Sequence, residues 1–442
     1  MNKKIRDALF IIFIIIFILL STFTCLYAAG YKFNLTWPIK LNRVLQKTGM
    51  INITTSPKQA YIFLDDKPQK KSAFSFFRKD YLTTPTKIKN VLPGEYLLRL
   101  EKENYWPLEK RVSVISGQTT FLEEINLFRS ELPLLILNYP ETEIFLNNNR
   151  RFLYLNNNHL IINTSSDQEP DYFTNITETA IWMKTGNKLF ANGKIKDLDK
   201  KNSLDLRENF GQNIKKWYYN EQEDRIFYHH GDTISRLESD YRTSTVVIQG
   251  ENYLDFQIRQ DNFFAIIKEQ DKIYLRNYNL KNNTLTGELN LPQLGNYEFK
   301  SSNNKYLSIY DDINNTLYLI NLSDWKNSAA IQNVKSWSWM NDEQIIFNNN
   351  WEVNTFNLIS GATSLITRWS EEIKKTIWHN NSRYFIFTTA SSINVGDVNN
   401  KNVLNILTAN KVLSPTLDEK NDFLYFYGEF ADETGIYKIT LQ

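Results

Sequence analysis

One unit of about 39 residues recurs through the last three hundred residues, and no other feature limits the fold as strongly. Each copy reads as an aromatic or apolar anchor, a short polar turn, an apolar strand, a second turn and another strand. The clearest copies are Trp339-Met-Asn-Asp-Glu-Gln-Ile-Ile-Phe347 and Trp378-His-Asn-Asn-Ser-Arg-Tyr-Phe-Ile-Phe387. Trp182, Trp217, Phe256, Phe299 and Leu417 head matching copies, and Phe145 heads a weaker first one. The anchors are spaced 35 to 43 residues apart. Several short strands at this period are the signature of a β-propeller blade, a unit that buries its faces only by stacking on its neighbours. The copies predict eight blades, with seven as the alternative if the first copy is absorbed elsewhere.

Closure of such a ring calls for a strand exchange. The last copy shows three strands: Val412-Leu-Ser-Pro-Thr-Leu417, 423–427 and 436–441. Leu132-Pro-Leu-Leu-Ile-Leu137 belongs to no unit. It is expected to supply the missing fourth strand, with its five aliphatic side chains buried, and so to remove an open edge.

The amino terminus carries the second signal. Residues 8–29 contain no charge over 22 positions. As a helix they span about 33 Å, enough for a bilayer core of roughly 30 Å. Lys3, Lys4 and Arg6 precede the run, and Tyr27, Tyr31 and Trp37 follow it where an aromatic belt would sit. The apolar run is long for a cleaved signal, and Leu26-Tyr27-Ala28-Ala29 is a poor cleavage site. We read residues 1–29 as an uncleaved anchor that inserts through 8–29, with the bulk of the chain on the extracytoplasmic side of the cell membrane. Lys32, Lys40, Arg43 and Lys47 on the far side run against the positive-inside bias. Residues 30–48 read as a polar linker. The single cysteine, Cys25, lies inside the apolar run, so neither an intrachain disulfide nor a cysteine zinc site can form.

Between linker and repeats, residues 49–128 read as short strands with Pro and Gly turns, a small antiparallel sandwich. Gly49-Met-Ile-Asn-Ile-Thr-Thr55 alternates like a half-buried strand, and Ala60-Tyr-Ile-Phe-Leu64, Glu95-Tyr-Leu-Leu-Arg-Leu100 and Lys110-Arg-Val-Ser-Val-Ile115 follow. Ser56-Pro57-Lys58-Gln59-Ala60, Ile62-Phe63-Leu64-Asp65, Thr84-Pro85, Leu92-Pro93-Gly94-Glu95-Tyr96 and Asn104-Tyr105 stand in the order of a PEGA domain, which this stretch resembles. Lys58 and Gln59 stand where that family has Glu and Gly, and Asn104 where it has Gly. The repeats of 129–442 are similar to TolB-type and WD40-like propellers. These resemblances imply a bacterial membrane-anchored envelope protein with a binding or scaffold role and no catalysis.

The residues offer little chemistry against that. Only four histidines occur: His159, His229, His230 and His379. His229 and His230 face opposite ways if they lie on a strand, so they cannot share a metal. No nucleophile elbow, zincin, phosphate-loop or EF-hand pattern is present. The net charge of +2 gives no field to draw in nucleic acid. We expect no cofactor, no metal and no nucleic-acid partner, but an unidentified protein or surface polysaccharide bound by the propeller. Two other readings remain open: a propeller hydrolase acting on surface carbohydrate, and an assembly or sensor factor that docks a dedicated protein.

Residues 67–83 form the most unusual local segment. Lys70, Lys71, Arg78 and Lys79 are interleaved with Phe74, Phe76, Phe77 and Tyr81. Such a mixture suits either a contact with anionic lipid or a packing wedge against the propeller. The wedge is preferred, because three Phe and one Tyr within eight residues are costly to leave in water.

Overall fold

The computed structural model describes residues 3–33, 44–71, 80–138, 143–146, 152–156, 159–163, 171–174, 181–184, 188–197, 199–200, 202–211, 213–221, 223–250, 252–379, 382–399, 402–418 and 420–442. The protein is nearly all β, preceded by one apolar helix. The chain divides into two compact units, Met1–Pro133 with Ile439–Gln442 and Leu134–Lys438.

In the first unit, helix α1 spans Lys3–Ala28. Its segment Leu9–Ala28 is long and apolar enough to cross a membrane. Phe10, Phe13 and Phe17 are each about two-thirds exposed, and the isoleucines around them are exposed as well. A helix that is apolar on every side and covered by no protein is built for a nonaqueous surrounding.

The stretch after α1, expected as a plain linker, holds two short strands. Strand β1 (Tyr31–Phe33) pairs antiparallel with β2 (Leu45–Lys47). The sandwich follows with β3 (Gly49–Ser56), β4 (Tyr61–Leu64), β5 (Lys67–Pro68), β6 (Thr86–Val91), β7 (Gly94–Glu101), β8 (Leu108–Val114) and β9 (Thr119–Asn126). One sheet has the order β5-β4-β7-β8, the other β6-β3-β9. Alternation along β3 buries Ile51 and Ile53, which join Ile62, Leu98, Leu100 and Ile125 in a common core. The sandwich is not wholly antiparallel as expected. β3 and β9 run parallel, from Met50 opposite Thr119 to Ser56 opposite Asn126, because the chain visits the other sheet between them. Two of the three departures named above fall on turn positions. Gln59 has φ +70° and Asn104 has φ +64°, so each adopts the left-handed conformation that Gly takes with least strain.

In the second unit, the described residues form eight four-stranded antiparallel sheets. Seven are built from four consecutive strands. All eight anchors of the sequence repeat lie on the first strand of a sheet: Phe145 in β11 (Glu143–Leu146), then Trp182 in Ile181–Trp182, Trp217 in Ile214–Asn220, Phe256 in Tyr253–Arg259, Phe299 in Tyr297–Lys300, Trp339 in Ser336–Asn341, Trp378 in Lys375–Trp378 and Leu417 in Lys411–Leu417. First strands of neighbouring sheets meet at four places, Ile214–Asn220 with Tyr253–Arg259, Tyr253–Arg259 with Tyr297–Lys300, Ser336–Asn341 with Lys375–Trp378 and Lys375–Trp378 with Lys411–Leu417, and Lys411–Leu417 meets β11, which brings the last sheet back to the first. That is the circular arrangement of a β-propeller.

The eighth sheet contains the strand exchange. Strand β10 (Leu134–Leu137) completes it in the order β10, Glu433–Thr440, Phe423–Phe430, Lys411–Leu417. The expected burial is only partly met. Leu135 and Ile136 are half-buried, but Leu132 is 78% exposed and Leu134 65%. As the outermost strand, β10 has one face toward solvent, so alternate side chains stay wet.

Trp217 meets Phe190 and Trp339 meets Tyr306, each on the sheet before its own. Trp217 and Trp378 are buried, while Trp182 and Trp339 are half-buried. Trp217 lies on the turn Asn192-Gly193, where φ is +42° and +73°. A Cβ on Gly193 would stand 2.6 Å from the Trp217 ring. Two successive left-handed residues make the tight hairpin between Lys188–Ala191 and Lys194–Asp197.

Candidate functional site

The residue just before each anchor points away from the anchor's packing face, because side chains alternate along a strand. In three consecutive copies that residue is charged: Lys216, Asp255 and Glu298. These positions line a cleft of ≈ 640 Å³ along the first strands of four successive sheets. Ile181 stands at one end and Phe299 at the other, with Lys215, Trp217 and Tyr218 between them. Lys215 and Glu298 are exposed, and Lys216, Tyr218 and Phe299 half-exposed, so the cleft offers cations, a carboxylate and aromatic faces together.

Asp255 is the polar centre of this row. Its side chain is only 5% exposed and lies 2.5 Å from Lys216 Nζ. Its Oδ1 also accepts the Phe256 N–H at 2.6 Å, and its Oδ2 accepts the Phe299 N–H at 2.9 Å. Three sheets are thus joined through one carboxylate. Glu298 is 2.5 Å from Lys300. Burial pushes the Tyr218 phenol up to about 12. Burial, and then the hydrogen bond to Asp224, raises Tyr219. Tyr219 donates to Asp224 Oδ1 at 2.7 Å and accepts from the Lys184 N–H at 2.6 Å. Both phenols therefore act as hydrogen-bond donors at neutral pH.

The histidines are placed structurally. His229 is buried and His230 exposed, as strand alternation requires. The His229 ring packs on Tyr253 and Phe256, and its Nε2 has no hydrogen-bond partner among the described residues. His379 is buried with Nδ1 3.0 Å from Ser382 Oγ and Nε2 3.2 Å from the Asn421 carbonyl of the next repeat. Among the described residues no three His, Cys, Asp or Glu side chains come together as a metal cluster. His159 lies on the strand His159–Asn163.

Of the basic aromatic segment, only the root is described. Lys70 bridges Tyr81, Lys71 stands 3.0 Å from Asp80, and the Tyr81 ring meets Tyr61 edge-on at 6.3 Å. The root is thus a hairpin that prolongs β5. Phe74, Phe76, Phe77, Arg78 and Lys79 lie outside the described residues, and with them both readings of the tip. The cleft escaped sequence reading because it is assembled from residues about forty positions apart. Its one signal was the run of charges directly before the anchors.

The PEGA domain family model matches residues 78–126, inside the stretch read as a sandwich. No curated protein matches the chain. Solved structures with a similar fold include a crystal structure of the eukaryotic initiation factor, 12% identical, covering 71% of this chain and 93% of that one with a TM-score of 0.48. The Dos1 propeller is 10% identical, covering 70% of this chain and 94% of that one with a TM-score of 0.48. Kluyveromyces lactis Hsv2p is 9% identical, covering 49% and 72% with a TM-score of 0.35. The sandwich therefore has a PEGA domain match over residues 78–126, and the propeller stands on its own sheet topology.

Proposed function

We propose that this is a single-pass membrane protein of the cell envelope that binds a protein or surface polysaccharide through an eight-bladed propeller, without catalysis. The observation that carries the reading is the composition of the cleft. Lys215 and Glu298 are open to a ligand, with Tyr218 and Phe299 half-exposed beside them, while Asp255 is already engaged by Lys216 and two backbone N–H groups. Aromatic faces beside opposite charges suit a sugar or a polar peptide. A general base needs a carboxylate free to take a proton, and Asp255 is committed to holding sheets together.

Helix α1 supplies the anchor, with the sandwich and propeller on the extracytoplasmic side. Cys25 is exposed on the helix, so its shielding from a polar maleimide in vesicles reports lipid around it. The protein should also stay in the membrane fraction through alkaline carbonate. A soluble form beginning near Gly30 would rule the anchor out. For the propeller, detergent-solubilised full-length protein is applied to a glycan array and cross-linked in envelope extracts. A ligand lost on Lys215→Glu with Glu298→Lys, while the fold persists, supports the cleft. Ligands retained by that variant would move the binding surface elsewhere.

A further inference from the structure

Helix α1 is joined to the sandwich through a compact set of hydrogen bonds. The Gly30 N–H donates to the Tyr27 carbonyl at 3.0 Å, which caps the helix. Gly30 has φ +85°, the left-handed conformation usual at a helix end. Its own carbonyl accepts both the Thr48 N–H and the Thr48 hydroxyl at 2.7 Å. Thr48 is buried and directly precedes β3. The turn at residues 115–118 docks on the same place. The Gly117 N–H donates to the Thr48 carbonyl at 3.0 Å, and the Ser116 hydroxyl donates to the Lys47 carbonyl at 3.0 Å. Gly49 lets this turn close, since a Cβ there would stand 2.6 Å from the Ile115 carbonyl oxygen.

We propose that this end of the sandwich is a lipid-contacting surface, in which Ile115 enters the interface of a phospholipid bilayer beside Lys47 and Lys32. The proposal rests on the reading of α1 as a membrane anchor. A helix that leaves the bilayer at Ala28 carries Thr48 and the turn within a few residues of the interface. The side chains there have interfacial chemistry: Ile115 is 54% exposed, Tyr27 50% and Leu45 40%, and Lys32 and Lys47 are exposed. Apolar tips beside cations suit the boundary between acyl chains and anionic headgroups.

The same register sets the root of the basic aromatic segment at the opposite end of the sandwich. Gly94 pairs with Val114, next to the turn, whereas Glu101 at the other end of β7 pairs with Tyr61. At ~3.3 Å per residue the two ends lie about 23 Å apart. The root of the hairpin belongs to the Tyr61 end, where Tyr61 bridges Thr83 and Lys70 bridges Tyr81. Lipid contact is thus assigned to residues 115–118.

The test uses full-length protein with Cys25→Ser, spin-labelled at one new cysteine and reconstituted into vesicles of phosphatidylcholine and phosphatidylglycerol. Labels go on Phe17→Cys, Ile115→Cys and Glu103→Cys, the last in the loop after Glu101. Power saturation compares accessibility to oxygen and to a polar nickel chelate, and circular dichroism verifies each fold. The expected oxygen-to-nickel ratio is highest at position 17 and several-fold higher at 115 than at 103. It should be unchanged at 115 when Lys70→Ser and Lys71→Ser are added. A dry label at 17 with equal ratios at 115 and 103 overturns the proposal and leaves the anchor standing. A label at 17 as wet as that at 103 overturns both.

Discussion

The carboxylate of Asp255 accepts the backbone N–H of Phe299, 44 residues downstream, at 2.9 Å. With Lys216 on its other oxygen at 2.5 Å, it ties three consecutive sheets across their first strands. The two partners of the ion pair differ in burial, with Lys216 at 39% exposure and Asp255 at 5%. Removing the lysine strands a buried charge, whereas removing the acid lets the ammonium turn to water. Lys216→Met should therefore cost about 3–5 kcal/mol, and Asp255→Ala nearer 2 kcal/mol, chiefly from the stranded N–H groups. Urea unfolding of both variants measures the difference. Equal costs would mean that the pair is hydrated.

Gly193 and Trp217 are a second coupled pair. Gly193→Ala meets a left-handed φ and a Trp217 ring 2.6 Å from the new Cβ, so a loss of about 2–4 kcal/mol is expected. Trp217→Ala should cost about 3–5 kcal/mol, and Trp339→Ala less, because that ring is half-exposed. Gly193→Ala should be milder in a Trp217→Leu background, which a double-mutant cycle would show.

The pattern of the repeat made the propeller legible. Each anchor fell on a first strand because a large apolar side chain recurring at one point of the repeat must be covered by a neighbouring sheet, fully at Trp217, Phe256 and Trp378 and partly at Trp182, Phe299, Trp339 and Leu417. The closing strand was legible for a similar reason: Leu132-Pro-Leu-Leu-Ile-Leu137 was an apolar run without a unit. Which of its leucines face water was not, since an outermost strand has one wet side that composition does not mark. The ribbon of β1 and β2 was hidden because three-residue strands carry no periodicity. The cleft was hidden because Lys216, Asp255 and Glu298 meet only after the ring forms. The parallel pairing of β3 with β9 depends on chain path, which alternation within a strand does not encode.

Burial lowers the titration of His379 and His229 below the ordinary 6.5. Each ring stays neutral in the fold at pH values where the unfolded chain already binds a proton. Their contribution is whole above the unfolded value and is lost as pH falls through the lower folded one. Urea midpoints should drop as pH is taken below 6.5. His229→Phe, which keeps the packing on Tyr253 and Phe256, should flatten part of that slope. A slope unchanged in the variant would assign it to other groups.

Closure of the ring depends on β10, which pairs Leu134 with Lys438, Leu135 with Tyr437 and Leu137 with Ile436. Two of those partners belong to the interior. Ile436 and Tyr437 are buried, the Tyr437 ring stacks on Phe426 at 5.4 Å, and its hydroxyl donates to the Glu433 carbonyl at 2.6 Å. Replacing Leu134–Leu137 by an equal length of Gly and Ser keeps the chain connected but weakens the strand and strips its half-buried side chains. Loss of the ladder and of that packing should cost about 2–5 kcal/mol. The freed edge of Glu433–Thr440 should also promote self-association. Leu132→Ser and Leu134→Ser serve as controls, since both side chains are mostly exposed, and neither should move the midpoint. If the Gly and Ser chain unfolds at the same urea concentration as the parent and stays monomeric in sedimentation, the last sheet holds without β10, and closure must come from the first-strand contacts between Lys411–Leu417 and β11.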